Sequence, residues 1–287
     1  MKKKYIAGVS GGPDSMAMLY RYRHKITLVC HVNYHKRKSA LRDQKIVEKF
    51  CHSNHIPLKV LSVTQKLYDE YKKKSKNFQT LARLIRYDFF VKCAKRAKCE
   101  KLLIAHNADD FCETAMMQQL KKSKALFYGI KSKSHYQDLI IVRPLIHFRK
   151  VTLLEYCRHK KIPYGIDESN LGDDYLRNRL RKKISKWNET EFLLFMDKIN
   201  EYNQIHRNIL HTVKRIYQAW KILDYSAAYL NRQQTVTKFY LIYKLLTEKE
   251  FLNPSTDKIN GIIHFFSKSH PGKIYRVSDK RYIPYTP

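Results

Sequence analysis

Residues 5–15 constrain this chain more than any other stretch. Tyr5-Ile-Ala-Gly-Val9 reads as a short buried strand. Ser10-Gly11-Gly12-Pro13-Asp14-Ser15 follows at once, and Met16-Ala17-Met18-Leu19 opens a helix. A strand, a glycine-rich turn and a helix N-terminus make an anion cradle. The glycines let backbone N–H groups approach phosphate oxygens, and the helix end adds partial positive charge. Ser10 and Ser15 add hydroxyl donors. Pro13 has no N–H and shapes the turn. Asp14 is the odd member, because a carboxylate beside phosphates needs a compensating cation, for which Mg2+ is the usual answer. No lysine follows in the Gly-x-x-x-x-Gly-Lys-[Ser/Thr] arrangement, so this is not a Walker A loop.

Short apolar runs recur after the loop, at Ile26–Val32, Ile56–Val63, Lys101–Ala105 and Leu139–Val142. Between them the apolar spacing changes to three and four. Ile46, Val47, Phe50 and Cys51 share one helix face, and Leu81, Leu84, Ile85, Phe89 and Cys93 share another. Thr114, Met117, Leu120 and Lys121 continue a helix that starts near Asp110. This alternation predicts an α/β fold, a Rossmann-like parallel sheet with flanking helices, over residues 1–186. Lys66–Asn77 interrupts it and reads as a mobile basic loop, either a solvated insertion or a phosphate contact.

The alternation stops near Asn188, which with Glu191 has capping-box spacing. Ile205, Ile209, Val213, Tyr217 and Trp220 mark a long helix; Val236, Phe239, Tyr240, Tyr243 and Leu246 a second; Ile259, Ile262, Ile263 and Phe266 a third. Residues 274–277 and 281–283 suggest a hairpin. Residues 187–287 therefore read as a smaller, mainly helical C-terminal domain. Its Tyr and Trp side chains suit either a core or stacking on bases.

Lys and Arg number 57 against 25 Asp and Glu, a formal +32. That excess attracts phosphate polymers, anionic membranes or acidic proteins, or reflects solvated lysines. No window of about 18 uncharged apolar residues exists to span a membrane. The basic N-terminus runs into Gly-Gly-Pro-Asp too soon for a secretion signal. Six cysteines lack any Cys-x-x-C pair, which argues for reduced thiols in a cytoplasm.

The loop resembles the Ser-Gly-Gly-x-Asp-Ser signature of PP-loop ATP pyrophosphatases, which bind ATP and release pyrophosphate. Further segments resemble one family of that class, the tRNA(Ile)-lysidine synthetases. These are His31-Val32-Asn33-Tyr34 with Arg37 and Asp43; Asn77 through Ala82-Arg83 and Arg86-Tyr87; and Ala105-His106-Asn107-Ala108-Asp109-Asp110 with Glu113-Thr114. Arg143-Pro144-Leu145, Asp167-x-Ser169-Asn170 and Tyr175-x-Arg177-Asn178-x-x-Arg181 complete the set. Together they cover residues 5–185. Tyr34, Gln79 and Phe111 depart from the family pattern, and Lys121-Lys122-Ser123 replaces a glycine-rich turn.

The resemblance implies a two-step ligation. ATP adenylates carbon 2 of the wobble cytidine in a tRNA(Ile) with a CAU anticodon. The side-chain amine of free L-lysine then displaces AMP to give lysidine. It implies that ATP meets Ser10, Gly11, Gly12, Pro13, Asp14, Ser15, His31, Val32, Asn33 and His106. It implies catalytic roles for Asp14, Arg83, Asp110 and Glu113, with Asp14 as the Mg2+ ligand. Asp110 and Glu113, three apart on one helix face, would hold lysine, and one would take a proton; the residues alone equally suit an acidic helix N-terminus. Arg86, Arg177, Asn178 and Arg181 would meet tRNA or phosphate, where a solvated basic helix is the plainer alternative. The oligomeric state stays open, with a homodimer among the options. Two rivals remain: another PP-loop tRNA-modifying enzyme such as a thiolase, and a non-catalytic RNA-binding protein.

Overall fold

The computed structural model describes residues 4–36, 39–73, 77–121, 125–166, 176–249, 254–268, 272–278, 281–284 and 286–287. Arg37, Lys122, Ser123, Asp167, Ser169, Asn170 and Tyr175 lie outside the described residues. The chain divides into two compact units, Met1–Ser123 with Tyr128–Ile199, and Lys124–Phe127 with Asn200–Pro287.

In the first unit β1 (Tyr5–Gly8), β2 (Ile26–Asn33), β3 (Leu58–Ser62), β4 (Lys101–Ile104), β5 (Lys133–Tyr136) and β6 (Leu139–Val142) form one sheet. Its order is β3-β2-β1-β4-β6-β5. Pairings are parallel throughout except β5–β6, an antiparallel hairpin turned at Gln137, whose φ is 49°. The chain builds outward from β1 to β3, then crosses to β4 on the other side of β1. That reversal leaves a crevice at the C-terminal ends of β1 and β4.

The apolar runs become strands because both sheet faces are covered. Ala7, Val9, Val29 and Leu103 pack under α1 (Pro13–Tyr22), α2 (Ala40–Ser53) and α6 (Lys150–His159), against Met16, Leu19, Val47, Phe50 and Leu153. Ile6, Cys30, Leu102 and Ile141 face Tyr87, Phe90 and Ala94 of α4 (Phe78–Arg96). The edge strand β5 carries Lys-Ser-His-Tyr and has no apolar run to announce it.

Two local expectations change. The basic stretch after Val63 is not a loop: Gln65–Lys72 forms α3, capped by Thr64, whose side chain accepts from Leu67 N. Leu67, Tyr68 and Tyr71 share one face and pack on Val63, Leu81 and Ile85, so helical spacing outweighs the lysines. Residues 74–76 lie outside the described residues. Helix α5 (Ala108–Leu120) starts at Ala108, and its buried face is Ala108, Phe111, Cys112 and Ala115, while Leu120 is exposed. By contacts the two units divide at Ile199–Asn200, inside α8 (Glu189–Ile222).

Asn188 and Glu191 do form a reciprocal cap on α8, both bonds 2.9 Å. In the second unit, α8, α9 (Ala227–Asn231), α10 (Thr235–Glu248) and α11 (Thr256–Lys268) enclose Tyr217, Trp220, Leu241, Leu245, Ile262 and Phe266. A hairpin, β7 (Ile274–Ser278) with β8 (Arg281–Pro284), adds Val277 and Ile283. The two largest aromatic side chains of α8 are therefore core. Trp220 is fully buried and donates its indole N–H to Ser226 O at 2.9 Å. Trp220→Ala leaves a large cavity and removes one of the two hydrogen bonds that Ser226 O accepts, the other coming from Leu230 N; it should lower the unfolding free energy by about 3–5 kcal/mol, read by urea denaturation.

Candidate active site

The loop after β1 is held by one buried hydroxyl. Ser15 Oγ accepts from Ser10 N and Gly11 N, both at 3.2 Å, and donates to Gly12 O at 2.9 Å. Ser15 therefore fixes the cradle from inside, and Ser10, whose hydroxyl reaches Ser15 Oγ at 3.1 Å, lies on the open side. Gly11 has φ 93°, and a Cβ there would stand 2.8 Å from Asp43 O. Gly12 is the N-cap of α1 and Pro13 its first residue. Gly165 N donates to Gly11 O at 2.9 Å, closing the loop from behind.

A cavity of about 630 Å³ opens above this loop at the crevice. Ser10, Gly12, Asp14, Ser15, His31, Val32, Asn33, Arg86 and His106 all line it, with Asp43, Tyr34, Lys36, Phe78 and Phe90. Of the residues expected around ATP, only Gly11 and Pro13 shape the loop without lining that space. His31 is buried, and its Nδ1 lies 2.9 Å from Val9 O, so that nitrogen carries the proton. Burial lowers its pKa, against the Val9 bond that raises it. Asn33 donates to Gln44 Oε1 at 2.8 Å and accepts from His35 N at 2.9 Å, which turns the chain after β2.

Asp14 carries the most unusual charge. Its Oδ1 is buried without a hydrogen-bond partner. Burial pushes its pKa up to about 6; Lys150 opposes the rise, and Asp110 adds to it. A second group of carboxylates meets it at the N-terminus of α5. Asn107 caps that helix in a reciprocal box with Asp110: Asp110 N donates to Asn107 Oδ1 at 2.9 Å, and Asn107 N to Asp110 Oδ2 at 3.1 Å. Asp109 accepts from Lys150 N at 2.7 Å and stands 3.7 Å from Arg149, so it caps α6. Glu113 is buried between two guanidiniums, Arg177 Nε at 2.9 Å from Oε2 and Arg181 Nε at 2.9 Å from Oε1. Arg177 also stands 3.7 Å from Asp110 Oδ1. These arginines and Asn178 come from α7 (Leu176–Ser185).

Beside this group, Arg143 Nε donates to His106 Nδ1 at 3.1 Å. His106 therefore carries its proton on Nε2. Burial pushes its pKa down to about 4, opposed by Asp110 and aided by Arg143, Arg83 and Arg177. Near neutral pH it is a hydrogen-bond donor, not a base. Arg83 and Arg86 are exposed and cover Tyr87 and Tyr34 at 4.6 and 5.9 Å. Arg83 does not line the cavity, and neither do Asp110, Glu113, Arg177, Asn178 or Arg181.

Sequence reasoning gave no site role to Arg143, Asn107, Asp109 or Lys150. Arg143, Asn107 and Asp109 stood inside quoted motifs, so only their roles were hidden. Lys150 is the first residue of α6 and had no signal of its own. The three departures have local explanations. Tyr34 donates to Ala82 O at 2.6 Å, Gln79 is exposed on α4, and Phe111 is a buried ring against Gly129.

This parallel sheet, with its loop and its crevice, defines a PP-loop domain, a class that binds ATP, and residues 1–188 match the family of that description. The U34-tRNA thiolase NcsA from Methanococcus maripaludis, solved with its 4Fe-4S cluster, shares the fold, with TM-score 0.55 and 18% identity over 71% of this chain and 72% of that one. Curated relatives are closer. The tRNA(Ile)-lysidine synthase of Ureaplasma parvum serovar 3 is 48% identical over 282 residues, 98% of this chain and 84% of that protein. Those of Malacoplasma penetrans and Mycoplasma genitalium are 38% and 40% identical, over 99% and 97% of this chain and 96% and 93% of their own lengths. The chain belongs to the tRNA(Ile)-lysidine synthase family.

Two variants test the loop. Gly11→Ala combines a positive φ with a backbone clash and should weaken ATP binding roughly ten-fold or more by calorimetry. Asp14→Asn probes the buried charge. Because the folded pKa of about 6 lies above the unfolded value of 3.8, the carboxylate destabilises the ligand-free fold above pH 6, and the penalty fades as pH falls toward 4. Asp14→Asn should therefore stabilise the ligand-free protein by ~1–3 kcal/mol at pH 7.5 and by much less near pH 4. A loss of stability at pH 7.5 would contradict this.

Proposed function

We propose that this protein ligates L-lysine to carbon 2 of the wobble cytidine of a CAU-anticodon tRNA(Ile), forming lysidine. The observation that carries the reading is the near-full-length match to tRNA(Ile)-lysidine synthases, on a chain whose cavity opens over a phosphate cradle and its buried Asp14. In the first step the cytidine O2 attacks the α-phosphorus of ATP, and the bond to pyrophosphate breaks. In the second, the lysine side-chain amine attacks carbon 2, and AMP leaves with its oxygen.

The loop's backbone N–H groups and Ser10 hold the phosphates, with Ser15 fixing their directions. Backbone groups of His31, Val32 and Asn33 meet the adenine edge. His106 donates from Nε2 to the nucleotide. The orphaned Asp14 Oδ1 fits a hard cation, and a single carboxylate with substrate phosphates is the usual donor set for Mg2+. When bound, that ion neutralises charge on the departing pyrophosphate. Arg83 adds to that neutralisation from the rim.

Asp110 and Glu113 receive the lysine cation. Arg177 and Arg181 pair with Glu113, and with Asn178 beside them they supply tRNA phosphate contacts when lysine takes their place at that carboxylate. Asp110 Oδ1 accepts the proton that makes the attacking amine neutral. The second unit, with the excess of cations over the whole chain, supplies further tRNA contacts.

The deciding assay supplies ATP, labelled lysine and CAU-anticodon tRNA(Ile). Label should enter the tRNA, and an unlabelled product would sink the proposal. Asp14→Ala should abolish pyrophosphate release while tRNA affinity falls less than about three-fold, a change within the range of one lost surface contact. Equal loss of both would contradict the division of labour between loop and acidic cluster.

A further inference from the structure

One feature at the cavity's outer end has no task in that scheme. Phe78 opens α4 and is 42% exposed. Its ring meets Tyr34 edge-on, centroids 6.4 Å apart at 72°, and lies tilted over Tyr68 at 6.2 Å and 33°. The 2.6 Å bond from Tyr34 to Ala82 O, one turn along α4, fixes the group. Two exposed cations flank it: Lys36 Nζ lies 5.1 Å over Tyr68, and the Arg86 guanidinium 5.9 Å over Tyr34. Among the described residues neither cation makes an ion pair.

This differs from core packing. The cavity's inner wall is buried Phe90 and Cys30, with Val32 and Ile104. Those side chains suit the adenine of a seated mononucleotide. Phe78 remains wet, and exposed aromatic surface with unpaired cations on both sides suits a flat π-face carrying phosphates at its edges.

We propose that Phe78, with Tyr34 and Tyr68 behind it, is a stacking platform for an unpaired base of the tRNA anticodon loop beside the reacting cytidine, and that Lys36 and Arg86 hold the adjoining phosphates. The proposal rests on the tRNA reading above and adds a recognition element to it. Base stacking on a protein aromatic is sequence-tolerant, so the platform sets affinity and position, not the identity of the base.

The test uses the full chain, ATP and a CAU anticodon stem–loop RNA. Phe78→Ala should weaken RNA binding about 5- to 20-fold, the range of one lost base stack, with the ATP dissociation constant unchanged. Phe78→Trp should keep RNA affinity, and its indole emission should be quenched when RNA is added. Lys36→Gln should reduce the slope of log affinity against log salt by about 0.7, one single-strand phosphate contact. Unchanged RNA affinity in Phe78→Ala would overturn the platform. So would a matching loss in Phe78→Trp, which would mark a folding role, or a weakened ATP constant, which would give the ring to the nucleotide. Failure of the parent reading looks different: the unaltered protein would transfer no lysine, whatever the RNA affinities.

Discussion

Four carboxylates converge where β1 and β4 end, and the disposal of their charge organises the site. Asp109 is fully paired, to the Lys150 amide and Arg149. Asp110 gives one oxygen to the α5 cap and turns the other toward Arg177. Glu113 is saturated by Arg177 and Arg181. Asp14 alone keeps a buried oxygen with no partner. Buried charge without compensation is expensive, and folds retain it where a ligand supplies the balance. The four acids thus run from fully paired to unpaired: Asp109 caps α6, Asp110 and Glu113 face the guanidiniums of α7, and Asp14 keeps the free oxygen.

The two histidines show the same economy. His31 and His106 have depressed pKa values, burial being the first cause in each. Each spends Nδ1 on a fixed partner, the Val9 carbonyl or the Arg143 guanidinium. Neutral imidazoles of defined tautomer serve as directional hydrogen-bond groups.

Much of this was legible in the sequence. The loop and five of the sheet's six strands were visible because a parallel strand packed between helices needs an apolar run, and a phosphate turn needs glycines. The edge strand β5 was hidden because Lys-Ser-His-Tyr pairs on one side only and carries no core. Helix α3 was hidden because only Leu67, Tyr68 and Tyr71 seat it, among charged and polar neighbours and before a lysine-rich run. At the site, motif spacing pointed to Asp14, Asp110 and Glu113 as candidates, yet could not show that Glu113 faces two arginines some 65 positions onward, a contact made only by packing α7 on α5. Lys150 escaped for the same reason: its nearness to Asp14 comes from the fold, not from any local pattern.

Asp43 supplies a last consequence. Its backbone blocks any side chain at Gly11, and its carboxylate occupies the space that a Cβ on Gly165 would need. Three positions remote in sequence are thus epistatically tied, but unequally. Shrinking Asp43 to serine would relax the constraint at 165 and leave position 11 closed, since a carbonyl cannot be trimmed. A side chain at 165 is accordingly admissible once Asp43 is shortened, whereas none fits at 11.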